Sequence, residues 1–177
     1  MLLQPAQLLR DHLHLFTDNP LHGPILDLAC GDGHNGIFLA THHLPVICCD
    51  TSHAALDRAR KSAAEHEVTV TVWQVDLEQE GVNPLPDDSY GGVLCFHYLH
   101  RPLIPCIKKA LKQGGILIYE TFTIDQPTFG KPHNPAFLLR PKELFEWFDQ
   151  WEVLHYFEGI KEDPRRAVAH IVCRKAS

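Results

Sequence analysis

Residues 25–36, Ile-Leu-Asp-Leu-Ala-Cys-Gly-Asp-Gly-His-Asn-Gly, constrain the fold more than any other stretch of this chain. A short apolar run ends in a turn with glycines at 31, 33 and 36, and a helical pattern follows from about Asn35 to His43. A strand that hands over through glycines to a helix is the opening of a βαβ unit, and such units build parallel sheets covered by helices. The same alternation continues. Val46–Cys49 reads as a strand closed by Asp50, and Thr51 or Ser52 can cap the helix after it. Val68–Val75 is β-branched and reads as a third strand ending at Asp76. Pro84, Pro86 and Gly91 punctuate a loop, and Gly92–Phe96 is a fourth strand. A helix over about Leu103–Leu111 stops at Gly114 and Gly115, and Gly115–Phe122 is a fifth strand.

The end of the chain changes character. Residues 123–140 are irregular, and Pro141 is placed to open a helix over 141–148. Trp151–Gly159 and Ala167–Lys175 read as two strands. The polar stretch between them is too short for a crossover helix, so they should be antiparallel neighbours. The expectation is one α/β domain over residues 1–177, a three-layer Rossmann-like sandwich. Residues 1–20 form a short amphipathic helical segment that covers the pocket. Its leucines, Leu2, Leu3, Leu8, Leu9, Leu13 and Leu15, could serve that cover or a dimer contact, leaving monomer and homodimer both open.

Composition narrows the partners. The 177 residues carry a formal charge of −6 with no basic run, so nucleic acid is not an expected partner. No apolar stretch approaches a membrane span, and the N-terminus lacks the basic start and clean apolar core of a signal peptide. None of the six cysteines forms a Cys-x-x-Cys pair, and four lie in strand-like runs. They read as buried thiols in a reducing cytosol. The 13 histidines include no convincing metal set, and no metal is expected.

Gly31, Gly33 and Gly36, with Asp50 nineteen residues after Gly31, match the dinucleotide fingerprint. Asp50 could accept both ribose hydroxyls of any adenosine-bearing cofactor. Asp27 discriminates. NAD or FAD places a pyrophosphate at the helix N-terminus, and a carboxylate at Asp27, with Asp32 in the turn, would repel it. S-adenosylmethionine carries a sulfonium and an ammonium instead, and acidic residues suit both. Asp76 ends the third strand as Asp50 ends the second and Asp27 the first. Ligands of open α/β sheets lie outside those carboxyl ends. Aspartates also sit at strand ends merely to close turns and cap helices, so the three gain weight from sharing one rim.

These residues resemble the class I S-adenosylmethionine-dependent methyltransferases over essentially the whole chain after Leu21. Leu26–Gly36 looks like the family's first motif, Asp50 like its acidic residue after the second strand, and Asp76–Leu77 like the acidic-apolar pair after the third. The turn is similar to that of a small bacterial branch with Cys-Gly-x-Gly-Arg-Asn, which includes tellurite-resistance-like enzymes, with His34 here in the Arg position. The resemblance implies a seven-stranded mixed sheet of order 3-2-1-4-5-7-6 with strand 7 antiparallel. It also implies S-adenosylmethionine as cofactor, S-adenosylhomocysteine as product, and cofactor contacts at Asp27, Gly31, Gly33, Asp50, Asp76 and Leu77. Ala29, Asp32, Asn35, Thr51 and Phe96 flank those positions and complete the expected cofactor set.

The methyl acceptor should lie above the ends of the fourth and fifth strands. His97 and His100 are candidate bases for a hydroxyl acceptor, whereas a thiolate or hydrogen telluride needs none. Arg101 offers a fork for an anionic group or a partner for Glu120, and Tyr98 and Tyr119 an aromatic wall. Residues 128–141 are the candidate lid or pocket wall, with Phe129, Phe137 and Leu138 to cover a substrate and Lys131, His133 and Arg140 to recognise an anion. The Asn/Asp-Pro-Pro-Tyr/Phe motif of base-directed amino methyltransferases is absent after the fourth strand. The reading is a cytoplasmic methyltransferase for a small molecule bearing a thiol, a chalcogen or a hydroxyl or carboxyl group. A non-catalytic S-adenosylmethionine-binding regulator is the alternative. An NAD-dependent oxidoreductase is a weaker rival, because this chain offers it no separate substrate-binding region.

Overall fold

The computed structural model describes residues 2–176. Its sheet has seven strands: β1 (Ile25–Leu28), β2 (Val46–Asp50), β3 (Thr71–Gln74), β4 (Tyr90–Phe96), β5 (Leu111–Phe122), β6 (Glu152–Lys161) and β7 (Arg166–Arg174). Their order is β3-β2-β1-β4-β5-β7-β6. β7 runs antiparallel to β5 and β6, and the remaining neighbours are parallel. This is the expected mixed sheet. Its central strands are apolar on both faces because helices cover both.

Strand alternation sorts the side chains into two cores. Leu26, Leu28, Val93, Cys95, Leu117, Tyr119 and Ile171 face one side, with α5 (Ile104–Ala110) and α6 (Glu143–Phe148). Ile25, Cys48, Leu94, Ile116, Ile118 and Val172 face the other, with α3 (His34–Thr41). The N-terminal segment belongs to this second core. It forms two short helices, α1 (Gln7–Asp11) and α2 (His14–Thr17), rather than one. Leu8, Leu9 and Phe16 are buried there, so these side chains pack within the fold. Leu2 is 87% exposed.

Several boundaries differ from the sequence reading. β3 is an edge strand and pairs only over Thr71–Gln74, where β2 supplies a partner. β5 starts earlier than Gly115, at Leu111, and its ladder with β4 is interrupted: Tyr90 faces Leu111 and Gly92 faces Ile116. The residues between form a bulge, with Gly114 at φ +74°. Pro141 does not open α6. Lys142, at φ +62°, intervenes, and Glu143 is the first helical residue. α4 (His53–Glu65) is capped as expected, the Ser52 hydroxyl accepting from the Ala55 N–H at 3.2 Å. The cysteines are free thiols, and Cys48, Cys49, Cys95 and Cys173 are buried. Among the described residues, no helix is long and apolar enough to cross a membrane.

Candidate active site

The carboxyl ends of the parallel strands meet along one rim. Register places Asp27 beside Cys48 and Leu94, Asp50 beside Gln74, and Phe96 beside Glu120. Between β1 and α3 the chain turns sharply, with Ala29 at φ +53° and Gly31 at φ +54°. Glycine takes that conformation without steric cost. Gly36 serves closeness instead. A Cβ there would lie 2.7 Å from Cys48 Sγ and 3.0 Å from Asp27 Oδ2.

The turn is tied to the rim carboxylates. Gly31 N–H donates to Asp50 Oδ2 at 2.9 Å, and Ser52 N–H donates to Oδ1 at 2.8 Å. Gly36 N–H donates to Asp27 Oδ2 at 2.8 Å. Asp27 is 2% exposed. Burial pushes its carboxyl up to about 7, the Gly36 N–H pulls it partly back, and the charge of Asp50 adds to the rise. Among the described residues, no lysine or arginine pairs with Asp27 or Asp50. Asp76 closes its own turn by accepting from Glu78 N–H at 2.9 Å, and Leu77 beside it is buried. Thr51, exposed on the rim, accepts at its carbonyl from the Gln74 side chain.

Two expected cofactor residues are engaged elsewhere. Asp32 pairs with Arg58 of α4 at 2.8 Å, so its charge is already compensated. Asn35 Oδ1 accepts from the Ala6 N–H at 2.8 Å, which ties the N-terminal segment to the glycine turn.

Two clefts open beside this rim. One, of about 560 Å³, lies between the loop after β3 and the start of α5, and Leu77, His100, Leu103 and Cys106 contribute to its walls. The other, of about 450 Å³, lies over the ends of β4 and β5 and is walled by His97, Tyr98, Thr121, Phe122, Lys131 and Phe137. Glu78 lines both and accepts from the Tyr98 hydroxyl at 3.0 Å. His97 and His100 therefore face different clefts. The 128–141 segment is a wall. Phe137 and Lys131 line the second cleft, Leu138 is buried, Phe129 lies under the Arg165 guanidinium, and His133 is exposed.

Two of the four expected catalytic side chains are structural. Arg101 is not available to an anionic substrate and does not pair with Glu120. Its Nε and Nη2 form a fork on Glu143 at 2.7 and 2.9 Å, and Nη1 and Nη2 donate to the carbonyls of Ala136 and Leu138. Burial would raise the Glu143 carboxyl, but the hydrogen bonds from Arg101 and Arg140 outweigh it and hold the group at about 2. This clasp fastens the loop wall to α6. Tyr119 points into the core, 1% exposed, and its hydroxyl donates to the Tyr98 carbonyl at 2.8 Å. Burial, first of all, raises its hydroxyl well above the ordinary phenol value, so it is no acid or base for the cleft.

Glu120, which the sequence offers only as a possible partner of Arg101, is instead a charged centre of the acceptor-side rim with other partners. It is buried on β5 facing the second core, across the ladder from His170 of β7. Its Oε2 accepts from His170 Nδ1 at 2.9 Å and from Lys161 Nζ at 2.8 Å. His170 Nε2 meets His155 Nε2 at 2.8 Å. A glutamate and a histidine inside otherwise apolar strands were the available signal. A buried charge of that kind requires partners.

A family model described as "Methyltransferase domain" matches residues 25–115. Hemagglutinin 1 of Eikenella corrodens is 28% identical over 142 residues, covering 76% of this chain and 46% of its own. A probable S-adenosyl-L-methionine-dependent methyltransferase, TehB of Haemophilus influenzae, is 25% identical over 144 residues, covering 78% of this chain and 49% of its own. The chain thus spans about half the length of these curated relatives. The crystal structure of TehB from Haemophilus influenzae superposes with a TM-score of 0.74 at 19% identity, over 95% of this chain and 61% of that one. With the family model matching residues 25–115 and the sheet order β3-β2-β1-β4-β5-β7-β6, the chain belongs to the class I S-adenosylmethionine-dependent methyltransferases and is related to the TehB-like branch.

Proposed function

We propose that the chain binds S-adenosylmethionine along the rim from β1 to β4 and methylates a small molecule held in the cleft over β4 and β5. The observation that carries the cofactor assignment is the pair of rim carboxylates, Asp27 and Asp50, on a glycine turn without a cationic partner among the described residues. The donor set fits the cofactor's chemistry. A sulfonium and an ammonium nearby favour the ionised form of Asp27, which burial alone disfavours, whereas a pyrophosphate would raise that cost further. Asp50 suits the ribose hydroxyls, and Asp76 and Leu77 the adenine. Gly31 leaves room for close approach, since a Cβ there would meet nothing within 4 Å.

When bound, S-adenosylmethionine supplies an electrophilic methyl group on sulfur. The work left to the chain is to align an acceptor and exclude competing water. Phe122 and Phe137 give the acceptor cleft apolar walls, and Lys131 and His97 give it polar ends. A cleft of about 450 Å³ suits a small molecule.

Calorimetric titration with S-adenosylmethionine, S-adenosylhomocysteine and NADH, repeated on Asp50→Ala, tests the reading. Both S-adenosyl compounds should bind and NADH should not, with binding lost in the variant. Binding of NADH in their place would overturn the assignment.

A further inference from the structure

We infer that His97 and Glu120 form a base pair of residues specialised for a hydroxyl acceptor, with His97 taking the proton and Glu120 positioning it. The inference rests on the methyltransferase reading and selects among its acceptor classes. A thiolate needs no base, so a purpose-held histidine marks an acceptor with a proton to lose.

Geometry singles out His97. It follows β4 directly at φ +55°, a conformation sparsely populated by residues with a Cβ. Such a backbone persists only where surrounding contacts hold it. Here the His97 N–H donates to the Glu120 carbonyl at 2.8 Å, and the imidazole stacks on Phe122, centroids 4.9 Å apart and planes 22° apart. The ring lines the acceptor cleft and is half-exposed. His100, in the other cleft, has no such support.

Glu120 faces the ring with one particular oxygen. Oε2 is saturated by His170 and Lys161. Oε1 is turned toward His97 Nε2 at 3.7 Å, with Arg166 Nη2 at 4.0 Å beyond it. Burial would push this carboxyl up, but the hydrogen bonds from His170 and Lys161, with the His97 ring close by, outweigh it and hold it well below the usual carboxylate range. An ionised oxygen facing Nε2 selects the Nε2–H tautomer, and Nδ1 is left with the lone pair. His170 follows the same logic one step back: its Nδ1–H serves Glu120, and its Nε2 accepts from His155.

The step balances with groups already named. The acceptor O–H passes its proton to His97 Nδ1 while its oxygen forms the C–O bond. The C–S bond of the sulfonium breaks with its electron pair on sulfur, leaving a neutral thioether. The imidazolium, charge-compensated by Glu120, then returns its proton to water. Other charged or titratable groups around the ring are Lys161, Arg166 and His170 on the Glu120 side and Glu78, Tyr98 and Lys131 in the cleft.

Nitrogen-15 NMR of the unliganded protein tests the tautomer without any acceptor. His97 should be Nε2–H by more than about tenfold when neutral, and Glu120→Gln should reduce that ratio toward that of free histidine. A predominant Nδ1–H tautomer, or a ratio unmoved by Glu120→Gln, would overturn the assignment. His97→Asn guards against a misfolded Glu120 variant, because asparagine tolerates positive φ. With catechol and 2-mercaptoethanol as probe acceptors, His97→Asn should lower catechol methylation about 100-fold or more and lower thiol methylation by far less. Catechol turnover in His97→Asn equal to wild type, or methylation of the thiol alone by the wild type, refutes the base while sparing the methyltransferase. Failure to bind S-adenosylmethionine refutes the methyltransferase reading itself.

Discussion

Asp27→Asn should stabilise the protein and weaken its cofactor binding, and the pH dependence of the first effect can be worked out. The Asp27 carboxyl is raised from 3.8 to about 7, chiefly by burial. A group raised in the folded state favours folding fully below its unfolded value, and the benefit fades as pH climbs through its folded value. Wild-type stability should therefore decline between about pH 4 and 7 on account of this one residue. That rise corresponds to about 4 kcal/mol at most. Asparagine keeps an oxygen for the Gly36 N–H and never ionises, so it escapes this loss.

Urea denaturation of wild type and Asp27→Asn from pH 4.5 to 8 measures the difference. The gap should be below about 1 kcal/mol near pH 4.5 and reach about 2–4 kcal/mol in favour of the variant at pH 8. Glu143, held at about 2, acts in the opposite sense and only as pH falls below about 4.5. On the proposed placement of the cofactor, S-adenosylmethionine affinity should fall in the variant, because the buried charge beside its sulfonium and ammonium is gone. A gap independent of pH, or a variant less stable at pH 8, would refute the reasoning.

Gly36→Ala should destabilise by about 1–3 kcal/mol in thermal melts, because its Cβ would press on Cys48 Sγ and Asp27 Oδ2 in a packed core. Arg101→Ala leaves the buried Glu143 without its fork, so about 2 kcal/mol of stability should be lost at neutral pH. Arg101, 32% exposed, keeps the figure below the cost of a fully buried pair, and lowering the pH toward 2 should narrow the gap as Glu143 protonates. Tyr119→Phe removes one buried hydrogen bond to the Tyr98 carbonyl. It should cost about 1 kcal/mol and leave S-adenosylmethionine binding by calorimetry intact.

The strand-end rim was legible because it is written locally. Each strand-end aspartate lies next to the strand that places it, and the glycine turn sits between β1 and α3 in one run. The acceptor side was misread where strand parity was ignored. Successive β5 side chains point to opposite faces, so Tyr119 and Glu120 could not both face the same side of the sheet. Parity alone would still not have found the rest. Arg101 and Glu143 are 42 residues apart, and Glu120 and His170 are 50 apart. A strand's apolar pattern announces that a charge inside it is costly, but the partner that makes it tolerable comes from the register of β5 against β7. For the same reason His97 and His100 looked equivalent as residues flanking β4. They separate only when a buried carboxylate with one open oxygen is found beside one of them, and that oxygen is open because His170 and Lys161, brought in by the terminal hairpin, have taken the other. The hairpin that completes the sheet thus also sets which histidine is held as a base.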